Sequence, residues 1–182
     1  MSCTRVLFCL SLLMAFCSAQ SLFAHEHEAL VKKLEEGDEG AEKKLREIGR
    51  EAIPALREAK PEREAAERRV RNLLTDIAVE TSKIDLADAT MVHEIARNEG
   101  KAKRYVNAER LYKRAYQIYD KLKDDADDRK DKSKSREMKD KREICDRMKD
   151  KAGHLVKGET HVGVNLGFVK VGKEHDLSDE WE

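Results

Sequence analysis

The stretch LREIGREAIPALREAKPEREAAERRVRNLL, residues 45–74, decides the fold. Nearly every residue in it favours helix. Gly49 and the chain's two prolines, Pro54 and Pro61, interrupt it at short intervals. Ala41, Leu45 and Ile48 recur at helical spacing, and Gly49 follows where a C-cap glycine belongs. Ala52, Ile53 and Leu56 form the next short stripe. Pro54 sits in its first turn, where a missing N–H costs little. Pro61 and Glu62 then open a third helix, whose Ala66, Val70, Leu73, Leu74 and Ile77 share one face. Ahead of these, Leu30, Val31 and Leu34 mark a further helix that ends near Gly37 and Gly40. Short amphipathic helices of this kind cannot bury their stripes alone, so each must stack on a neighbour.

At this point the residues resemble a HEAT-type repeat. LREIGREAIPALREA is similar to the end of one repeat's first helix, its turn glycine, and a second helix with an early proline. KPEREAAERRVRNLL is similar to the start of the next repeat. The resemblance spans about residues 28–79 and rests on apolar spacing plus Gly49 and Pro54. It implies stacked antiparallel helices and a protein-binding role. It covers barely one and a half units, which excludes a long solenoid, and the region after Asp38 lacks the family's usual inner arginine.

Further on, TSKIDLADATMVHEIARNEG (residues 81–100) places Ile84, Ala87, Met91, Val92, Ile95 and Ala96 on a helix ending near Gly100. In RYVNAERLYKRAYQIYDKLKDDA (residues 104–126), Tyr105, Ala108, Tyr112, Ala115, Tyr119, Leu122 and Ala126 recur at alternating intervals of three and four. That is a seam for packing against another helix. Tyr105, Ala108, Tyr112 and Ala115 resemble the second helix of a tetratricopeptide repeat over about residues 89–122. Val92, Ile95 and Ala96 match the first helix of that pair, but Glu99 stands where an aromatic is usual.

From Lys121 to Lys151 the chain is nearly all charge. Asp125–Arg129, Asp128–Lys132, Glu137–Lys141 and Glu143–Arg147 are favourable i,i+4 pairs that support helix without much burial. A thin stripe runs through Met138, Cys145, Met148, Ala152 and Leu155. It admits a fold-back with DRKDKSKS (residues 128–135) as the turn, or one long projecting helix. The composition favours a solvated, partly frayed helix, ended by Gly153 and Gly158. Val162, Val164, Leu166 and Phe168 then alternate, which admits a small C-terminal β-hairpin before an acidic tail.

The start of the chain reads as a secretory leader: Arg5, an apolar run from Val6 to Phe16, then small residues. Cleavage after Ala19 or after Ala24 removes Cys3, Cys9 and Cys17 and leaves Cys145. Cys145 then reads as a small apolar residue on its stripe, with an intermolecular disulfide as the alternative. The expected organisation is a leader at 1–24, a helical repeat-like domain at 25–126, a charged helix at 127–157, and a hairpin and tail at 158–182. The fold class is all-α: short stacked antiparallel helices followed by a long charged helix.

Charge narrows the function. The 37 basic and 37 acidic residues cancel, which disfavours nucleic acid as a partner. No later segment is apolar enough to span a membrane. No phosphate loop, nucleophile elbow or paired cysteine site appears. His93 reads as a surface residue, and His154, His161 and His175 match no zinc spacing. One local pattern carries chemistry. Cleavage after Ala24 would leave His25-Glu26-His27 at the N-terminus, where the amine, two amides and the His27 imidazole can enclose Cu(II) or Ni(II) in a plane. The expected function is an exported, non-enzymatic protein–protein interaction or scaffold module, in the periplasm, the cell envelope or outside. It would engage another protein or a second copy and need no cofactor. The alternatives are Cu(II) binding through His25 and His27, and a non-catalytic subunit of an envelope enzyme complex.

Overall fold

In the computed structural model, which describes residues 25–162, the cuts fall at helix ends. The helices are α1 (residues 25–36), α2 (Glu39–Ile48), α3 (Ile53–Glu58), α4 (Glu64–Thr81), α5 (Leu86–Lys101), α6 (Tyr105–Asp128) and α7 (Lys132–Val162), with a 3-10 turn at Gly49–Ala52. Among the described residues there is no strand, and the chain is all-α. Its contacts divide into two units that meet in sequence at Leu74 and Thr75. The leader lies outside the described residues, and so does the proposed hairpin after Val162, a residue that belongs to α7 rather than to a strand.

The first unit stacks short helices whose ends are explicitly satisfied. Gly37, at φ 95°, closes α1 by donating to the Leu34 carbonyl at 3.0 Å. Asp38 then caps α2, accepting from the Gly40 and Ala41 N–H groups at 2.7 and 3.2 Å. Gly40 therefore lies in the first turn of α2 rather than ending a helix. Gly49, at φ 66°, caps α2 through a bond to the Leu45 carbonyl. Both glycines hold left-handed backbone that a side chain would strain. Pro54 sits at the start of α3. Pro61 and Glu62 precede the last helix instead of opening it, because α4 begins at Glu64.

Two arginines of α4 complete these ends. Arg69 donates to the carbonyls of Leu34 and Glu35, at 3.3 and 2.7 Å. Arg71 donates to the carbonyls of Leu56 and Ala59, at 3.3 and 3.1 Å. The last carbonyls of α1 and α3 thus find donors their own helices cannot supply. Leu34, Leu45, Ile53, Leu56, Val70, Leu73 and Leu74 are buried, as their spacing predicts, while Ile48 is half-buried.

The second unit is built on longer helices. α5 and α6 join through Ala102–Arg104, and α6 and α7 through Arg129–Asp131. Each turn places one lysine, Lys103 or Lys130, at φ 59°. The bonds from Arg104 N–H to the Glu99 carbonyl and from Asp131 N–H to the Ala126 carbonyl, both 2.9 Å, close the two turns in the same way. Short turns of this type make antiparallel neighbours, and α6 packs against both α5 and α7. The charged stretch therefore folds back rather than projecting. Met138, Cys145 and Ala152, spaced by seven, are buried along α7, and Arg142 pairs with Asp120 of α6 at 2.9 Å.

Two expectations need correction here. Gly153 and Gly158 do not end α7, which runs on to Val162. A Cβ on Gly153 would sit 3.3 Å from the Glu109 carboxylate of α6, so this glycine marks a close approach between helices. Ile84 and Ala87 are exposed rather than part of the α5 stripe. The Asp85 side chain accepts from the Asp88 N–H at 2.8 Å, and this cap fixes a register that turns Asp88, Ala89 and Val92 inward.

Leu73 is 2% exposed. Leu73→Ala is expected to destabilise the fold by about 2–5 kcal/mol. Urea unfolding followed by far-ultraviolet circular dichroism measures it. A loss below about half a kilocalorie would place Leu73 on the surface.

Candidate functional site

α5, α6 and α7 bring four reactive side chains together. His93 lies on α5, Tyr112 and Tyr119 on α6, and Cys145 on α7. The His93 ring meets Tyr112 edge-on at 5.6 Å between centroids and Tyr119 at 6.2 Å. The Cys145 Sγ lies 3.8 Å from His93 Nδ1. His93 is therefore half-buried among helices and not the surface residue its position suggests. The fold-back of α7 covers it.

Burial sets the chemistry of the group. Desolvation pushes the Cys145 thiol up to about 12, with Asp146 adding to the shift. A thiol held protonated is a poor nucleophile and a poor metal ligand. Desolvation also raises the Tyr112 and Tyr119 hydroxyls, and Tyr119 keeps a hydrogen bond with Thr90. Desolvation lowers His93, and the nearby Arg97 and Lys141 cations lower it further, against Glu94. Near neutral pH all four side chains are uncharged and packed. Cys145 fills its stripe and, buried as it is, cannot reach a second chain without opening the helices.

A second buried polar group lies at the α5–α6 turn. Glu99 is 2% exposed. Its carboxylate takes Arg104 Nε at 2.7 Å, Arg104 Nη2 at 3.0 Å and Asn107 Nδ2 at 3.2 Å. The carboxylate is held there by a forked ion pair. The available signal was an acid on an apolar stripe with an arginine five residues on. Elsewhere in this unit, Tyr116 carries two cations over its ring, Arg142 at 5.7 Å and Lys149 at 5.6 Å.

In the first unit, a cleft of about 390 Å³ is lined by Lys32, Glu35 and Glu36 of α1 and by Lys60, Glu62, Arg63 and Ala66. Its charges are of both signs and equal in number, three basic and three acidic. The proposed metal residues lie at the start of α1: His25 is exposed, 3.5 Å from Glu28, and His27 is half-buried. Leu30 is the first fully buried residue. Among the described residues no three histidine, cysteine or acidic side chains converge on a metal-sized site, and no helix is long and apolar enough to cross a membrane.

No family model, no curated protein and no solved structure matches the chain.

Arg104→Ala would leave the Glu99 carboxylate buried without its charged partner. Arg104 is itself partly exposed, so water can recover part of the loss. The expected cost is about 1–3 kcal/mol, read from denaturant unfolding. Glu99→Leu should cost less, because it removes the charge together with its need for a partner.

Proposed function

We propose that the chain is an exported, non-enzymatic interaction module, a HEAT-like stack followed by a tetratricopeptide-like helix pair that holds a partner protein or a second copy. The observation that carries this reading is how the reactive groups are used. Cys145, His93, Tyr112 and Tyr119 join helices, and the direction of each shift keeps them neutral. Apart from the buried Glu99 and Asp88, charge is left mostly to the exterior, where pairs such as Arg46–Glu42 and Lys141–Glu137 alternate in sign. The cleft of the first unit follows the same scheme. Such a surface suits a partner of equally mixed charge, because complementary patches give specificity and encounter rate.

Amine-reactive crosslinking tests the proposal. Lys32 or Lys60 is expected to join one partner protein or a second copy. Lys60→Glu with Arg63→Glu should abolish the link, and Cys145→Ser should leave it intact. A chain that crosslinks to nothing at any concentration and sediments as a strict monomer would overturn the interaction reading. A catalytic turnover lost in His93→Gln would overturn the non-enzymatic one.

A second reading rests on a separate observation: residues 25–27 precede the first fully buried residue, Leu30. Where the leader is removed after Ala24, the amides of Glu26 and His27 have no carbonyl four residues back. They can wrap Cu(II) with the terminal amine and the His27 imidazole without breaking the core. Copper titration should give one-to-one binding that weakens in acid, since the ligand nitrogens must lose protons. His27→Ala should abolish it and His25→Ala should not. N-terminal sequencing that finds a start at Gln20 would exclude the site.

A further inference from the structure

His93 occupies an unusual place for a titratable ring. It sits where three helices meet, in T-shaped contact with Tyr112 and Tyr119 of α6 and with Cys145 of α7 at 3.8 Å. The charges around it come from two elements. On α5 these are Glu94 beside it and Arg97 one turn on, and on α7 Lys141 one turn before Cys145. Lys141 also lies 5.9 Å from the centre of the Tyr119 ring and is tied to Glu137 at 2.7 Å. The groups contributed by α6 are the two tyrosine hydroxyls, which stay protonated. A proton on His93 would thus bring a charge among packed rings and a neutral thiol, with two cations close by.

Among the described side chains, the helix that covers His93 buries fewer apolar groups completely than α6 does. α7 buries Met138, Cys145 and Ala152, about one residue for each two turns. α6 buries eight side chains, Leu111, Tyr112, Ile118 and Tyr119 among them. Half-buried Met148 and Leu155 add to this hold, together with charge pairs at partly exposed sites, such as Arg142–Asp120, and pairs of that kind contribute little. We propose that α5, α6 and α7 form an acid-released clasp, in which proton uptake at His93 loosens α7 and uncovers Cys145.

The sign follows from linkage. The folded unit holds His93 below its ordinary value of 6.5, with burial as the main cause. Above that value the ring is neutral whether α7 is closed or open, and pH has no effect through it. As pH falls below 6.5 the open state takes the proton first, so closure weakens until the folded value is reached. Below pH 6.5 the ordinary carboxylate range is not yet reached, so the contribution to separate is that of the other histidines, which the His93 variants do.

Cys145 is its own reporter. The full chain with Cys3, Cys9 and Cys17 replaced by serine is labelled with 4,4′-dithiodipyridine between pH 7 and 5. Each rate is divided by that of the same chain in denaturant at the same pH, which removes the thiol's own pH dependence. Protection of Cys145 is expected to fall about three- to tenfold across this range, within the limit of tenfold per pH unit that one proton allows. His93→Gln and His93→Phe, each verified as helical by circular dichroism, should flatten the profile. A flat wild-type profile would overturn the proposal without recourse to any variant. An equal pH response in both variants would also overturn it, because the release would then come from other groups.

Discussion

Helices as short as α1, α2 and α3 cannot satisfy their own ends, and that constraint organises the first unit. A helix of about twelve residues or fewer leaves a large share of its carbonyls and N–H groups without an internal partner. Asp38 answers the start of α2, and Gly37 and Gly49 turn the chain so that their N–H groups meet waiting carbonyls. Arg69 and Arg71 answer the ends of α1 and α3 from α4. Only with these ends closed can the apolar stripe from Leu34 to Leu74 be buried at little polar cost. The cuts that break the helical run are thus the places where each helix hands its unsatisfied groups to a neighbour.

The second unit meets the same requirement by length. α5, α6 and α7 run 16, 24 and 31 residues, so their ends are a small part of each. The difficulty moves to the seams. α6 lies between two partners and must be apolar on two faces, which its tyrosines, alanines, Leu111 and Ile118 supply. α7 has one partner face and is otherwise charged. Its i,i+4 pairs keep it helical, and three residues spaced by seven hold it in place.

These differences explain what could be read from residues alone. Periodicity records burial directly, so the stripes of α1 to α4 and the tyrosine seam of α6 were legible. Gly49 and Pro54 were legible because backbone restriction is a property of the residue itself. The contacts of Arg69 and Arg71 were not, because a flexible side chain reaches carbonyls at any sequence separation. His93 read as exposed because its burial depends on whether α7 folds back. That outcome rested on Met138, Cys145 and Ala152 against a background of charge, too weak a pattern to decide it. Glu99 looked like a defect in a repeat pattern, since its partner Arg104 belongs to a turn and not to a stripe.

The placement of the tyrosines has a spectroscopic consequence. Tyr105, Tyr112, Tyr116 and Tyr119 all belong to α6, while all four phenylalanines and Trp181 fall outside the described residues. Residues 25–74 contain no tyrosine, phenylalanine or tryptophan. The tyrosine band of the near-ultraviolet dichroism therefore belongs to the second unit, whereas far-ultraviolet ellipticity is summed over both. One sample thus carries two optical channels, and loss of order in the first unit alone would dim the far-ultraviolet signal while leaving the tyrosine band in place.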